Sequence, residues 1–385
     1  MKIYNGKIIL PDKIIFGTVE IKNKKISAIT EGNPAIVSGD DINANGNYIS
    51  PGFIDIHTHG AGGSDFMDAT VDAYLTAANT HLQHGATTIF PTTLASDLSE
   101  LENTFEVYKE AKKLNEAGAG FGGFHLEGPY FSLSQSGAQD PKYIKNPDKE
   151  EYTHILSLTD DIKRWSAAPE LKGALEFGSF MREHGILPSI AHTDANYRQV
   201  LSAYECGFTH ITHFYSCMSG VHRVDGYRQP GVIESGYLLD NLTVEIIADG
   251  KHLPPELLKL IYKIKGADNI ALVTDSMRAA GTNAQKSILG SLTKGREVII
   301  DDNVAKMPDK KAFAGSVATA DKCVENMIKL ADVPIVSAVK MMTKTPARIM
   351  KMMNTGSIEV GYDADIIVFD DDIKVKVAVK NGILK

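Results

Sequence analysis

Two histidines, His57 and His59, end the segment PGFIDIHTHG at residues 51–60. Side chains alternate between the two faces of a strand, so these histidines share one face with Asp55. Two imidazoles at this spacing can converge on one point beyond the strand end, and neutral imidazole binds zinc, iron and similar divalent ions. Among 12 histidines a His-x-His pair is weak support by itself. The interpretation as a metal site therefore depends on the rest of the chain.

Further side chains that can ligate a metal close other apolar, strand-like runs. Glu127 ends FHLE, His192 ends ILPSIAH, His213 ends THITH, and Asp275 ends NIALVTD. Each run is followed by a loop or a helical stretch. Such repeated placement at strand ends is better explained by one shared metal site than by unrelated polar residues.

The elements that must position these residues alternate between strand-like and helical patterns from about residue 51 to residue 350. Repeated βα units over roughly 250–300 residues indicate an α/β fold with a (β/α)₈ TIM-type barrel, whose active site lies at the carboxyl ends of the strands. No GxGxxG follows the first strand and no P-loop is present, which argues against nucleotide-binding folds. We assign residues 51–346 to this barrel.

Both ends of the chain have a different pattern. Residues 1–50 and 347–385 contain short, alternating, glycine-punctuated runs that are typical of strands. Asn5-Gly6 predicts a hairpin turn. Because chain termini often lie close together, we expect both ends to form one small β-sandwich domain.

The composition limits the partners. The 385 residues include 43% apolar and 23% charged residues and carry a net charge of −8, which is ordinary for a globular protein and does not favour nucleic acid or anionic membranes. An anionic substrate would need a local cationic pocket. The three cysteines are widely separated, and no signal peptide or transmembrane run is recognisable. We expect a cytoplasmic protein with no nucleic-acid or membrane partner.

Other histidines receive a structural interpretation. His125 shares a face with Glu127 and is expected to support it from behind. The others are expected on the surface or in satisfied core positions, either because they lie in or near helices or because they face away from His213: His81, His84, His154, His184 and His210.

Several of these motifs resemble known proteins. PGFIDIHTHG resembles the first metal motif of the amidohydrolase superfamily. A longer series resembles the N-acetylglucosamine-6-phosphate deacetylase family through nearly the whole barrel and both β-rich ends: HLEGP (125–129), AHTDA (191–195), THFYSCM (212–218), ADGKH (248–252), LVTDSM (272–277) and FAGS (313–316). HLEGP is the most discriminating motif, because cyclic-amide hydrolases of the superfamily usually have a carboxylated lysine in place of Glu127.

The resemblance implies the metal chemistry. Glu127, His192 and His213 would hold one divalent ion, and His57 and His59, with Glu127 bridging, could hold a second. Zinc or iron is expected in one or both positions. A bound metal lowers the pKa of its water to about 7 and so makes hydroxide available at neutral pH.

The resemblance also implies roles in catalysis and substrate binding. Asp275 would be the general base and acid, and His252 would polarise the acetyl carbonyl. Arg228 would reach the phosphate from a neighbouring subunit, which implies a homodimer. The implied substrate contacts are Ala138, Gln139, Ser216, Cys217, Arg228, His252, Phe313, Ala314 and Gly315.

The chain departs from the family at the substrate end. Gln139 replaces a histidine, Ser216-Cys217 replaces an asparagine-alanine pair, and the segment at 219–231 is longer than usual. The expected reaction is deacetylation of N-acetylglucosamine 6-phosphate to glucosamine 6-phosphate and acetate, in amino-sugar catabolism. Another N-acetylhexosamine, such as N-acetylgalactosamine 6-phosphate or an unphosphorylated sugar, is the alternative. The missing lysine disfavours a cyclic amidase, and the retained Asp275 disfavours a noncatalytic, metal-bound sugar sensor.

Overall fold

Eight parallel strands form a closed barrel at the centre of the molecule, which a computed structural model describes for residues 1–385. The barrel closes between its first and last strands through a parallel bridge from Thr58 to Ser276. The predicted TIM-type barrel is therefore confirmed. Its strands are Phe53–Thr58, Ala86–Thr93, Phe124–Glu127, Ile162–Ala167, Leu187–Ile190, His210–Ile211, Thr243–Ile247 and Ile270–Val273.

One helix follows each barrel strand and covers the outside of the barrel. The second helix shows the pattern: Asp97 caps its first turn by accepting the Glu100 N–H at 3.0 Å, and its Phe105 and Tyr108 pack against Phe124 of the third strand. None of the helices in the molecule is both long and apolar enough to cross a membrane. The helices that follow the eight barrel strands are Val71–Gln83, Leu98–Leu114, Lys149–Leu158, Ala174–Glu183, Tyr197–Glu205, Val232–Leu238, Pro255–Lys265 and Ala320–Lys329.

Both chain ends contribute to one separate sheet, as predicted. Asn5-Gly6 does not form the predicted hairpin turn, because it lies at an irregularity within the strand Lys2–Ile9. Tyr48–Pro51 lies inside the sheet, parallel to Lys2–Ile9 and antiparallel to Ile366–Phe369. The sheet curls back on itself, because the Ile26 N–H donates to the carbonyl of Tyr362 at 2.9 Å. One coiled sheet thus encloses the apolar core of this domain. Its strands are Lys2–Ile9, Ile14–Lys22, Lys25–Glu31, Ile42–Asn43, Tyr48–Pro51, Ile366–Phe369, Val375–Lys380 and Ile383–Leu384.

Two further helices, Ile335–Met342 and Lys344–Ile349, follow the last barrel helix. Ala347 and Ile349 share an apolar cluster with Ile54 of the first barrel strand. The predicted domain bounds at residues 50/51 and 346/347 stay a prediction, and the helix Lys344–Ile349 crosses the second of them.

Two insertions lie in loops that follow barrel strands and therefore face the side on which the active site of such a barrel lies. A three-stranded antiparallel sheet, which the sequence patterns did not predict, follows the eighth strand at Lys286–Leu289, Arg296–Asp301 and Val304–Lys306. A hairpin of His222–Val224 and Tyr227–Gln229 follows the sixth strand. Its turn is Asp225-Gly226, with positive φ at both residues.

Candidate active site

The carboxyl ends of the barrel strands bring the predicted metal ligands together. Two groups form, and within each group one ligand atom per residue lies within 4.8 Å of the others. All of these residues are buried. The groups are His57, His59 and Asp275, and Glu127, His192 and His213.

The Glu127 carboxylate joins the two groups. Its Oε1 lies 3.0 Å from His213 Nε2 and 3.4 Å from His192 Nε2. Its Oε2 lies 3.4 Å from His59 Nε2. Burial alone would raise the pKa of Glu127, but the close contacts with the His192 and His213 imidazoles hold it well below its usual range. The site therefore contains an ionised carboxylate that faces both groups.

Three of these residues have a left-handed backbone, which is rare for residues other than glycine. The φ angle is 46° at His192, 26° at His213 and 45° at Asp275. Each residue lies just beyond the end of its strand. Such backbone strain is concentrated at functional sites.

The histidine nitrogens are arranged as metal ligands would be. His59 Nδ1 lies 3.2 Å from the Thr92 carbonyl, and His192 Nδ1 lies 2.7 Å from the Gln135 carbonyl. An N–H at each Nδ1 leaves the Nε2 lone pair free. His57 Nε2 is buried with no hydrogen-bond partner, which is uncommon unless an ion or water completes the site. This donor set of imidazoles and a carboxylate suits a divalent metal.

Two charged residues behind the ligands were missed by the sequence analysis. Glu245 lies in the seventh barrel strand and Arg164 in the fourth. Both side chains are fully buried and form an ion pair. Glu245 Oε1 lies 2.6 Å from His57 Nδ1. Burial would raise the pKa of Glu245, but the positive charge of Arg164 holds it well below its usual range. The sequence contains a signal for both residues, because Glu245 lies within the strand-like run TVEII and Arg164 within IKRWSA, and buried charges are rare unless they are paired.

His125 is buried beside the candidate ligands. Its Nε2 lies 2.7 Å from Ser166 Oγ. Its ring meets the His57 ring edge to face, with 4.5 Å between centroids. The expectation that it supports the site from behind remains a prediction, and its contact is with His57.

The remaining histidines lie outside both ligand groups. His81 is buried against Thr58 Oγ1 at 2.9 Å, and burial lowers its pKa to about 3. His84 pairs with Asp321, and His210 faces Thr243 and Glu245 in the core. His154 and His184 are exposed.

A cavity of about 380 Å³ opens above the candidate ligands. The predicted substrate contacts that line it are Ala138, Gln139, Ser216, Cys217, His252, Phe313 and Gly315. Ala314 does not line the cavity, because it is fully buried in a small core beside the inserted sheet. A larger cavity of about 660 Å³ beside that sheet contains none of the candidate ligands.

Gln139 has a contact that its sequence position did not reveal. The residue is 4% exposed. Nε2 donates to Glu127 Oε2 at 2.7 Å, and Oε1 accepts the Ala95 N–H at 2.9 Å. Gln139 therefore holds a candidate metal ligand in addition to lining the cavity.

His252 is held by a carboxylate that the sequence analysis also missed. Its Nδ1 lies 2.7 Å from Asp249 Oδ2, and Asp249 accepts the backbone N–H groups of Lys251 and His252 at 2.8 Å. The His252 ring meets Phe313 edge to face at 4.8 Å. Asp249 thus fixes the ring and leaves its Nε2 free.

Arg228 lies apart from the cavity of its own chain. It is exposed on the hairpin, directly opposite Arg223. Apart from histidines, one cationic side chain lines the cavity, that of Lys311. The single chain therefore does not bring Arg228 to the other predicted substrate contacts.

This barrel and its strand-end histidines define a known class of proteins. The amidohydrolase family matches residues 48–384, and the chain belongs to that family. It is 30% identical to an N-acetylglucosamine-6-phosphate deacetylase of Lysinibacillus sphaericus, over 94% of this chain and 92% of that protein. It is 28% identical to an N-acetylgalactosamine-6-phosphate deacetylase of Escherichia coli O157:H7, over 85% of both chains.

A solved structure of similar shape is a mutant N-acetyl-D-glucosamine-6-phosphate deacetylase from Mycobacterium smegmatis in complex with N-acetyl-D-glucosamine-6-phosphate. Its TM-score is 0.91 and its sequence identity 25%, over 100% of this chain and 98% of that chain. The similarity therefore includes both the barrel and the sheet formed by the chain ends.

Proposed function

We propose that the protein removes the acetyl group of N-acetylglucosamine 6-phosphate and releases glucosamine 6-phosphate and acetate. The observation that carries this proposal is the Glu127 carboxylate, 3.0–3.4 Å from histidines of both ligand groups, beneath a cavity of about 380 Å³. The cavity volume lies within the range of small-ligand pockets. The similar proteins from Lysinibacillus sphaericus and Mycobacterium smegmatis are N-acetylglucosamine-6-phosphate deacetylases, which supports the same substrate for this chain.

The metal centre would use the residues described above. Glu127, His192 and His213 would hold one divalent ion, and His57 and His59, with Glu127, a second; zinc or iron suits these ligands. A divalent ion supplies Lewis acidity that polarises the acyl oxygen and lowers the pKa of water to about 7.

Asp275 would transfer a proton from the attacking water to the leaving nitrogen. Its Oδ1 lies 3.2 Å from His59 Nε2 and 3.4 Å from His57 Nε2. Burial would raise the pKa of Asp275, but the two histidines hold it below its usual value, so the carboxylate can accept a proton from the attacking water. It then delivers that proton to the leaving nitrogen. His252 would donate a hydrogen bond to the acyl oxygen from Nε2 only as an imidazolium, in which a second proton on Nδ1 is held by Asp249.

The substrate specificity is tested by acetate release from the metal-loaded protein. We expect N-acetylglucosamine 6-phosphate to be preferred over both N-acetylgalactosamine 6-phosphate and unphosphorylated N-acetylglucosamine. Preference for the galactosamine compound would support the alternative, which the departures at Gln139 and Ser216 and the Escherichia coli relative motivate. Turnover of a cyclic amide alone, or of no amide, would contradict the proposal.

The phosphate contact is proposed to come from a second subunit. The exposed position of Arg228 on the hairpin, outside the cavity of its own chain, supports a homodimer in which Arg228 reaches the neighbouring site.

We propose a cytoplasmic location, and the three cysteines, which form no disulfide, are consistent with a reducing compartment.

Replacing Arg228 should weaken binding of the phosphorylated sugar. We expect Arg228→Ala to raise KM about 10- to 100-fold, because a charged hydrogen bond to phosphate is lost, with a smaller effect on kcat. The matched control is Arg223→Ala, which removes the same charge from the paired position of the hairpin. A larger KM effect from Arg223→Ala would transfer the phosphate role to that residue, and no effect from either would remove it from the hairpin.

A further inference from the structure

Glu245, in the seventh barrel strand, touches a residue of each ligand group although the proposed chemistry does not use it. We propose that Glu245 is a positioning residue that holds both ligand groups at once, through the ring of His57 and the backbone of His213. This inference rests on the metal centre of the proposed function.

The first contact fixes the His57 ring. Glu245 Oε1 lies 2.6 Å from His57 Nδ1, and both side chains are fully buried. A carboxylate cannot donate, so the proton of this hydrogen bond is on Nδ1. The Nε2 lone pair is then free and lies 3.6 Å from Glu127 Oε1 and 3.4 Å from Asp275 Oδ1. A carboxylate behind a metal-binding histidine sets its tautomer and orientation in this way.

The second contact fixes the backbone of the other group. The same Oε1 accepts the His213 N–H at 3.0 Å. His213 lies just past its strand and has a φ of 26°, so its N–H has left the regular sheet pairing. The carboxylate satisfies this N–H and holds the strained residue, whose Nε2 lies 3.0 Å from Glu127. One oxygen atom therefore joins His57 and His213.

The opposite oxygen holds the carboxylate itself in place. Glu245 Oε2 accepts from Arg164, which also donates to Ser189 Oγ and Thr212 Oγ1, each at 2.7 Å. Buried ion pairs add little net stability compared with apolar residues of similar size. A fully buried arginine and glutamate inside the barrel are therefore better explained by the orientation that they impose on the ligands.

The test measures zinc affinity. Metal-free wild type and Glu245→Gln are titrated with Zn²⁺ against a chromophoric chelator, with circular dichroism and thermal unfolding as the check on folding. Glutamine keeps the size but loses the charge, and its NH₂ group must face either Arg164 or the His57 and His213 donors. We expect zinc affinity to fall about 10- to 100-fold. The matched control is Asp68→Asn, which weakens another carboxylate–arginine pair, with Arg278, and whose side chain makes no hydrogen bond to a candidate ligand; it should keep wild-type affinity.

A folded Glu245→Gln protein that binds zinc as tightly as wild type overturns the inference. If that variant does not fold, histidine ¹⁵N NMR of the zinc-loaded wild type decides, with the His57 signal identified by its loss in His57→Gln. A proton on Nδ1 and metal on Nε2 support the inference, and the reverse overturns it. Wild type that binds no zinc would overturn the proposed metal centre as well, whereas tight wild-type binding with an unchanged variant overturns only the role of Glu245.

Discussion

Asp275→Asn is expected to lower kcat by about 10²- to 10⁴-fold, the usual contribution of a general acid and base, while the protein keeps bound metal. Asparagine matches the size of aspartate but cannot take a proton from water or return it to the leaving nitrogen. The group of Glu127, His192 and His213 does not include Asp275, so it should still bind its ion. The measurement pairs acetate release with metal analysis of the same sample.

The control for this variant is Asp302→Asn, the same chemical change at an exposed carboxylate that pairs with Lys251 at 2.8 Å. It should keep wild-type kcat. Full activity of Asp275→Asn would contradict the proton-transfer role. Loss of all metal from that variant would instead show that Asp275 acts first as a ligand.

Glu127→Ala is expected to remove metal from both groups and to reduce acetate release to background. Glu127 is the carboxylate that faces Nε2 atoms of histidines in both groups, at 3.0 and 3.4 Å in one and at 3.4 Å in the other. Without it, the buried imidazoles lose the negative charge that offsets the charge of a divalent ion. The measurement is metal content per chain after dialysis, together with activity after zinc is added back.

Gln139→Ala provides the comparison, because Gln139 only donates one hydrogen bond to Glu127 Oε2, at 2.7 Å. We expect this variant to retain metal with weaker affinity. If Glu127→Ala kept its full metal content, the ion would have to be held by the histidines alone, and the bridging role would be wrong.

The barrel and its strand-end residues could be predicted because local patterns specify them. An apolar run that ends in His192 or Asp275, followed by a helix, can be recognised without knowledge of its neighbours. The fold places all such ends on one side, so separate local signals add up to one site. The same reasoning predicted the alternation of strands and helices from about residue 51 to residue 350.

The contacts of the supporting residues could not be predicted, because their partners are distant in the chain. Glu245 meets His57 across 188 residues, and Gln139 reaches Glu127 only because of the path of its loop. The left-handed backbone at His213 and the inward packing of Ala314 have no local signature either. The inserted sheet at residues 286–306 was missed because its short strands follow a segment with many turns.

The sheet formed by the two chain ends has a consequence for biosynthesis. Tyr48–Pro51 leaves the ribosome about 300 residues before its antiparallel neighbour, Ile366–Phe369. Until then one edge of that strand has no partner, and an open strand edge is a site where chains can associate wrongly. The barrel segment is complete before this neighbour exists. Pairing of these two strands would therefore follow synthesis of the barrel, and the earlier strand would depend until then on chaperones or on fast elongation.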